Sequence, residues 1–184
     1  DSVMNYPFRD AILAFLTGGD AWKLMETVMT VLENYPAPVV RVLMNHVGTH
    51  DTPRLLNVLG GPPMAGKDRE WQAARQLTSE ERQKGLRLQR LAVLLQFTLP
   101  GVPCIYYGDE VGMEGYGDPF NRGCFPWDSL PDAAAEPEGL PAEGHILDFY
   151  RALGRLRRQA PAFEGGTFIP VFAETGHLAY IREK

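Results

Sequence analysis

Two short apolar runs, Val39 to Val47 and Val102 to Tyr107, flank the clearest helical pattern in the chain. That alternation constrains the fold more than any other feature. Runs rich in β-branched and apolar residues, without strict polar alternation, read as strands buried on both faces, and such strands belong to parallel sheets covered by helices. The rest of the chain extends the pattern. Ser2 to Asn5 is a strand-like piece closed by Tyr6-Pro7, and Phe8 to Leu16 has helical spacing up to Gly18-Gly19. Asp20 is placed to cap a second helix reaching about Tyr35, with Trp22, Met25, Val28, Met29 and Leu32 on one face. A short apolar helix is expected at Leu55 to Leu59, and Gly60 to Leu77 reads as loop with helical fragments.

Thr78-x-x-Glu81 is a capping box that opens the long helix, Ser79 to Leu99, on a stripe of Leu88, Leu91, Leu95 and Leu99. Pro100-Gly101 ends it. Gly108 to Asp128 is a loop rich in Gly, Asp and aromatic residues, and residues 129–144, dominated by Pro, Ala and Glu, are expected to be mobile. Ile146 to Gln159 is helical. Gly165 to Arg182 switches to period two, a hairpin turning at Glu174-Thr175-Gly176. The class is therefore α/β.

Composition narrows the function. The 184 residues carry a formal net charge of −5 with no long Lys/Arg run, which argues against nucleic acid as a partner. No apolar run reaches the length of a membrane span. Cys104 and Cys124 lack metal-ligand spacing, and two reduced thiols in a cytoplasmic protein are expected rather than a bridge. Asp1 reads as starting in mid-sequence, since no initiator Met or signal-like segment precedes it.

In α/β folds chemistry gathers at the C-terminal ends of the strands. After the Val39–Val47 run comes Gly48-Thr49-His50-Asp51-Thr52-Pro53-Arg54. Asp51 reads either as a functional carboxylate at the strand mouth or as a cap of the following short helix, with His50 a solvated neighbour. Asp109 and Glu110 follow the second run; adjacent residues of an extended chain point opposite ways, which favours loop architecture over a shared acid/base site. Phe125 and Trp127 suit sugar or nucleobase stacking, or else anchor their loop to the body. His46 and His50 lack the Glu of a zinc-protease motif, so no metal is expected.

At these residues the chain resembles the α-amylase family of glycoside hydrolases, and within it the neopullulanase, cyclomaltodextrinase and maltogenic-amylase group. The resemblance rests on Asp1-Ser2-Val3-Met4-Asn5-Tyr6-Pro7-Phe8-Arg9-Asp10-Ala11, on the Gly48–Arg54 segment, and on Leu99 to Glu110. Asp118-Pro119-Phe120-Asn121-Arg122 and Phe125-Pro126-Trp127 add to it. It implies the C-terminal part of a (β/α)₈ TIM barrel, strands six to eight with their helices over residues 1–160. Residues 161–184 would then start an antiparallel β domain. A whole barrel takes about 250 residues.

The family's retaining mechanism needs a nucleophile and an acid/base carboxyl about 5–5.5 Å apart. By the resemblance both lie on strands that this chain does not contain. Asp51 then matches a third carboxylate that stabilises the transition state, with His50, Arg54, Tyr6, Arg122 and Trp127 as substrate contacts. The implied substrates are glucans with α-1,4 and also α-1,6 bonds, maltooligosaccharides or cyclodextrins, and the chain alone is expected to be inactive. No cofactor is expected in it; a Ca²⁺ ion would belong to the missing part. A homo-oligomer is left open. Thr49 stands where the subgroup more often has Ser, and Gly123-Cys124 departs from its pattern. The alternatives are a non-catalytic fragment with weak glucan binding, and a transglycosylase or sugar isomerase on the same template.

Overall fold

The computed structural model describes residues 3–130 and 145–184, so most of the segment expected to be mobile, 131–144, lies outside the described residues. The chain forms two compact units that interleave along the sequence: 1–47, 92–104 and 153–184 make the first, and 48–91 with 105–152 the second.

In the first unit, helix α1 (Tyr6–Leu16) begins two residues earlier than its apolar spacing indicates. Asn5 accepts the Phe8 amide at 3.3 Å, and Pro7 sits in the first turn, where a missing N–H costs nothing. Helix α2 (Ala21–Asn34) is capped by Asp20, which accepts the Trp22 amide at 2.9 Å. Its buried face is Ala21, Leu24, Met25, Val28 and Val31, whereas Trp22 points outward.

The expected strand over Val39–Val47 is mostly not one. Ala37–Val40 forms a short helix, α3, and strand β1 is only Met44–Asn45. The local β-propensity of Val39 and Val40 is overridden by Pro36 at the N-cap and Pro38 in the first turn, both with φ suited to starting a helix. Likewise β2 is Val102–Pro103 rather than a run to Tyr107. The strands are short but parallel as expected: Met44 pairs with Val102 and Asn45 with Pro103, and Met4 makes a parallel bridge to Met44 on the other side.

Buried amides fasten these strands. The Asn5 Nδ2 donates to Asn45 Oδ1 at 3.0 Å, and Asn45 Nδ2 to the Pro100 carbonyl at 2.8 Å. Gln96 Nε2 donates to the carbonyls of Asn45 and Cys104 at 3.1 and 2.8 Å. Strands β3 (Thr167–Glu174) and β4 (His177–Glu183) form the expected antiparallel hairpin, with Gly176 at φ +76° in its turn. Tyr180 Oη meets Thr98 Oγ1 at 2.5 Å, joining this hairpin to the end of the long helix.

That long helix, α6 (Ser79–Thr98), has its capping box: Thr78 N donates to Glu81 Oε2 at 2.7 Å and Glu81 N to Thr78 Oγ1 at 3.2 Å. Leu95 and Leu99 of the expected stripe are buried, with Val93 and Phe97 beside them, but Leu91 is 48% exposed and Gln89, Ala92 and Gln96 are buried. The second unit adds α4 (Leu55–Gly60), α5 (Arg69–Ala74) and the first turns of α7 (Ile146–Gln159) around Leu55, Leu56, Leu59, Tyr116, Phe149 and Tyr150. No helix among the described residues is long and apolar enough to cross a membrane.

Candidate active site

The second unit opens on a tight polar turn. Thr52 N donates to the Thr49 carbonyl at 3.3 Å, Thr49 N to Thr52 Oγ1 at 3.3 Å, and Asp51 N to Thr49 Oγ1 at 3.2 Å. These bonds consume the turn's polar groups within itself and leave two side chains facing out. His50 and Asp51 are 58% and 62% exposed, with His50 Nε2 at 3.3 Å from Asp51 Oδ1. Arg122 Nη2 approaches the same carboxylate oxygen at 3.9 Å, while its Nε holds Asp118 at 2.8 Å. An anion thus stands at the surface between a histidine and a guanidinium.

The capping alternative for Asp51 falls away. Helix α4 starts at Leu55 with Arg54 in the N-cap position and no side-chain cap. Asp51 therefore caps no helix, and among the described residues its charge meets only the His50 ring and the Arg122 guanidinium.

Asn121 holds the turn in place. Its side chain is fully buried, and Nδ2 donates to the His50 carbonyl at 2.7 Å and the Thr52 carbonyl at 2.8 Å, bracketing Asp51 on both sides. This residue was not singled out as functional, although it stands beside Arg122 in a segment that was. Its task is carried through main-chain carbonyls some seventy residues away, which no local pattern reveals.

Under the turn lies a buried ion pair. Arg54 has no exposed surface; its Nη1 donates to the Tyr107 carbonyl and lies 3.6 Å from Asp109 Oδ1. The guanidinium faces the rings of Tyr106 and Tyr107 at 4.4 and 4.6 Å. The direct sugar contact expected of Arg54 is corrected here: a side chain enclosed by two tyrosines offers a ligand nothing, and it supports the turn from below. The Asp109 carboxylate lies against Gly48, where a Cβ would come within 2.2 Å of Oδ2, so only glycine leaves it room. Burial pushes the Asp109 carboxyl up to about 7, with Arg54 pulling the other way and Glu110 adding to the rise.

Trp127 is 72% exposed and packs on Phe125 with ring centroids 4.5 Å apart. At that exposure Trp127 is not a buried anchor, and Phe125 braces its ring. Tyr6 belongs to the first unit, where its ring meets that of His46 edge-on at 4.6 Å. The site residues thus fall into an assembled group (His50, Asp51, Arg122), a support beneath it (Arg54, Asp109, Asn121), and two aromatic residues elsewhere. His46 is buried with neither ring nitrogen hydrogen-bonded, and burial, aided by Arg9, lowers it to about 4. No group of three or more His, Cys, Asp or Glu among the described residues has metal-holding geometry. Cys104 and Cys124 are both free thiols.

Residues 1–134 match the model of the alpha amylase catalytic domain. The chain therefore belongs to the alpha-amylase family, whose catalytic domain is a (β/α)₈ barrel. Among curated relatives, a cyclomaltodextrinase of Geobacillus thermopakistaniensis is 36% identical over 99% of this chain and 26% of its own length. An amylopullulanase of Thermoanaerobacter thermohydrosulfuricus is 40% identical over 69% of the chain and 9% of its own. Of solved structures, the cyclic α-maltosyl-(1→6)-maltose hydrolase of Arthrobacter globiformis, in complex with cyclic α-maltosyl-(1→6)-maltose, superposes with a TM-score of 0.68. It is 30% identical over 93% of this chain and 32% of that one. The chain spans about a quarter of the length of the cyclomaltodextrinases it matches.

Proposed function

We propose that the chain is the C-terminal portion of a retaining glycoside hydrolase acting on α-1,4 and α-1,6 glucans, and that Asp51 is its transition-state-stabilising carboxylate. On this reading residues 1–160 contribute barrel strands six to eight, at Met4, β1 and β2, and residues 161–184 begin a β domain. The observation that carries it is the exposed, externally clamped Asp51, flanked by His50 and Arg122 and free of any capping duty. Support comes from the relatives' names and from a related hydrolase in complex with a cyclic maltosyl-maltose.

Mechanistically, Asp51 accepts hydrogen bonds from adjacent ring hydroxyls, and His50 donates to one of them. As the ring flattens and gains positive charge in the oxocarbenium-like transition state, those hydroxyls become more acidic and the bonds to the carboxylate strengthen. Arg122 limits the directions in which Asp51 can swing. Trp127 supplies an aromatic face for a neighbouring sugar. The nucleophile and the acid/base lie, on this reading, outside these 184 residues.

The test is Asp51→Asn in the intact enzyme. Replacing the anion by an amide keeps the shape and removes the strengthening bond, so kcat is expected to fall by about 10²–10³-fold with little change in KM. The thermal midpoint should stay within a degree or two, because Asp51 caps nothing. Turnover within a few-fold of normal would remove Asp51 from the mechanism.

A further inference from the structure

In the first unit a cavity of about 460 Å³ opens between the end of α2, the segment before β2 and the β3–β4 hairpin. That is the size of a small-molecule site. Three arginines line it, Arg41, Arg157 and Arg182, against one acid, Glu164. Two of them make their direct bonds to backbone carbonyls only, with Glu164 acting on Arg157 from beyond ion-pair distance. Arg157 donates to the carbonyls of Phe97 (2.6 Å) and Gly101, and Arg182 to those of Thr98, Ala162 and Gly166 at 2.8, 3.2 and 3.0 Å. Among the described residues neither guanidinium has a carboxylate within 4 Å.

Carbonyl dipoles orient a guanidinium but do not cancel its charge, and the two cations also repel. Burial pushes against the charged form of both, joined at Arg182 by the neighbouring Arg157, while Glu164 favours the charged Arg157 and Tyr180 the charged Arg182. Arg182 Nε is buried and has no hydrogen-bond partner. The third arginine passes close over Gly165, where φ is +116° and a Cβ would lie 3.0 Å from Arg41 Nε, so glycine leaves it room. Tyr35 and Phe163 supply apolar wall beside the cations.

We infer that this cavity is a binding site for a small organic oxyanion, a phosphate monoester or carboxylate whose anionic end sits among Arg41, Arg157 and Arg182 and whose body lies on the aromatic wall. Guanidinium forks suit such oxyanions. Nothing in this inference depends on the glucan reading.

Phenyl phosphate, inorganic phosphate and phenol are the probes, titrated into the 184-residue chain by calorimetry, with amide shifts at Gly165, Gly166 and Phe168 reporting location. Saturable one-site binding of phenyl phosphate is expected, none by phenol, and about tenfold weaker binding in Arg41→Gln, as for the loss of one charge-assisted bond. Arg41 is exposed, so this variant keeps the fold, and its thermal midpoint verifies that. Tighter binding of phenyl phosphate than of inorganic phosphate is expected from the aromatic wall; equal binding would overturn the organic ligand and leave a site for the free anion. Failure of both anions to bind, binding of phenol, or an unchanged affinity in Arg41→Gln would overturn the site.

Discussion

At the scale of single residues, the buried groups that no sugar touches set the pH response. His46 is lowered from 6.5 to about 4, so in that window the unfolded chain holds a proton that the folded one lacks. Its contribution to stability is present above pH 6.5 and lost as pH falls through about 4. Asp109 is raised from 3.8 to about 7, so the folded chain holds the extra proton; that contribution is complete below 3.8 and lost as pH rises through about 7. Between pH 4 and 6.5 the two slopes oppose each other. Relative to the unsubstituted chain, Asp109→Asn should make the thermal midpoint climb more steeply with pH, and His46→Gln less steeply. Shifts of slope in the same direction for both variants would refute the assignment.

Much of the site was legible at this scale. Gly48–Arg54 and Asp118–Arg122 pointed to Asp51, His50 and Arg122, and the structure places these three together. Arg54 was misread because a basic residue next to a site looks like a contact in sequence, whereas a guanidinium enclosed by Tyr106 and Tyr107 is visible only in three dimensions.

At the scale of elements, propensity served where chemistry was local. The capping box of α6, the Asp20 cap of α2 and the Gly176 turn all form as their residues dictate. It failed where long-range partners decide. In α6 the apolar pattern favours Leu91 as core, yet the protein buries Gln96, which donates to the Cys104 carbonyl and adds a second bond to the Asn45 carbonyl already held by the Cys104 amide. The two positions make a paired prediction. Gln96→Leu should destabilise by about 1–3 kcal/mol by leaving the Cys104 carbonyl short of a donor, while Leu91→Gln should cost under about 0.5 kcal/mol. Denaturant midpoints measure both. The reverse order would restore the leucine stripe and contradict the role given to Gln96.

At the scale of the whole molecule, sequence order and spatial grouping part company. The chain starts in its first unit and returns to it twice, so the clustering follows contacts rather than sequence order, whereas the boundary near residue 160 follows the family template. What the sequence did convey is the parallel arrangement, with Met4, β1 and β2 side by side in chain order. The central claim is that these residues grip the glucan while the bond-breaking carboxylates lie elsewhere. It is tested most directly by incubating the purified 184-residue chain with maltotriose and following product by chromatography, with binding measured in parallel. The account predicts weak binding that Trp127→Ala reduces, and no detectable hydrolysis. Glucose and maltose released at a rate that scales with chain concentration, and that Asp51→Asn abolishes, would contradict it.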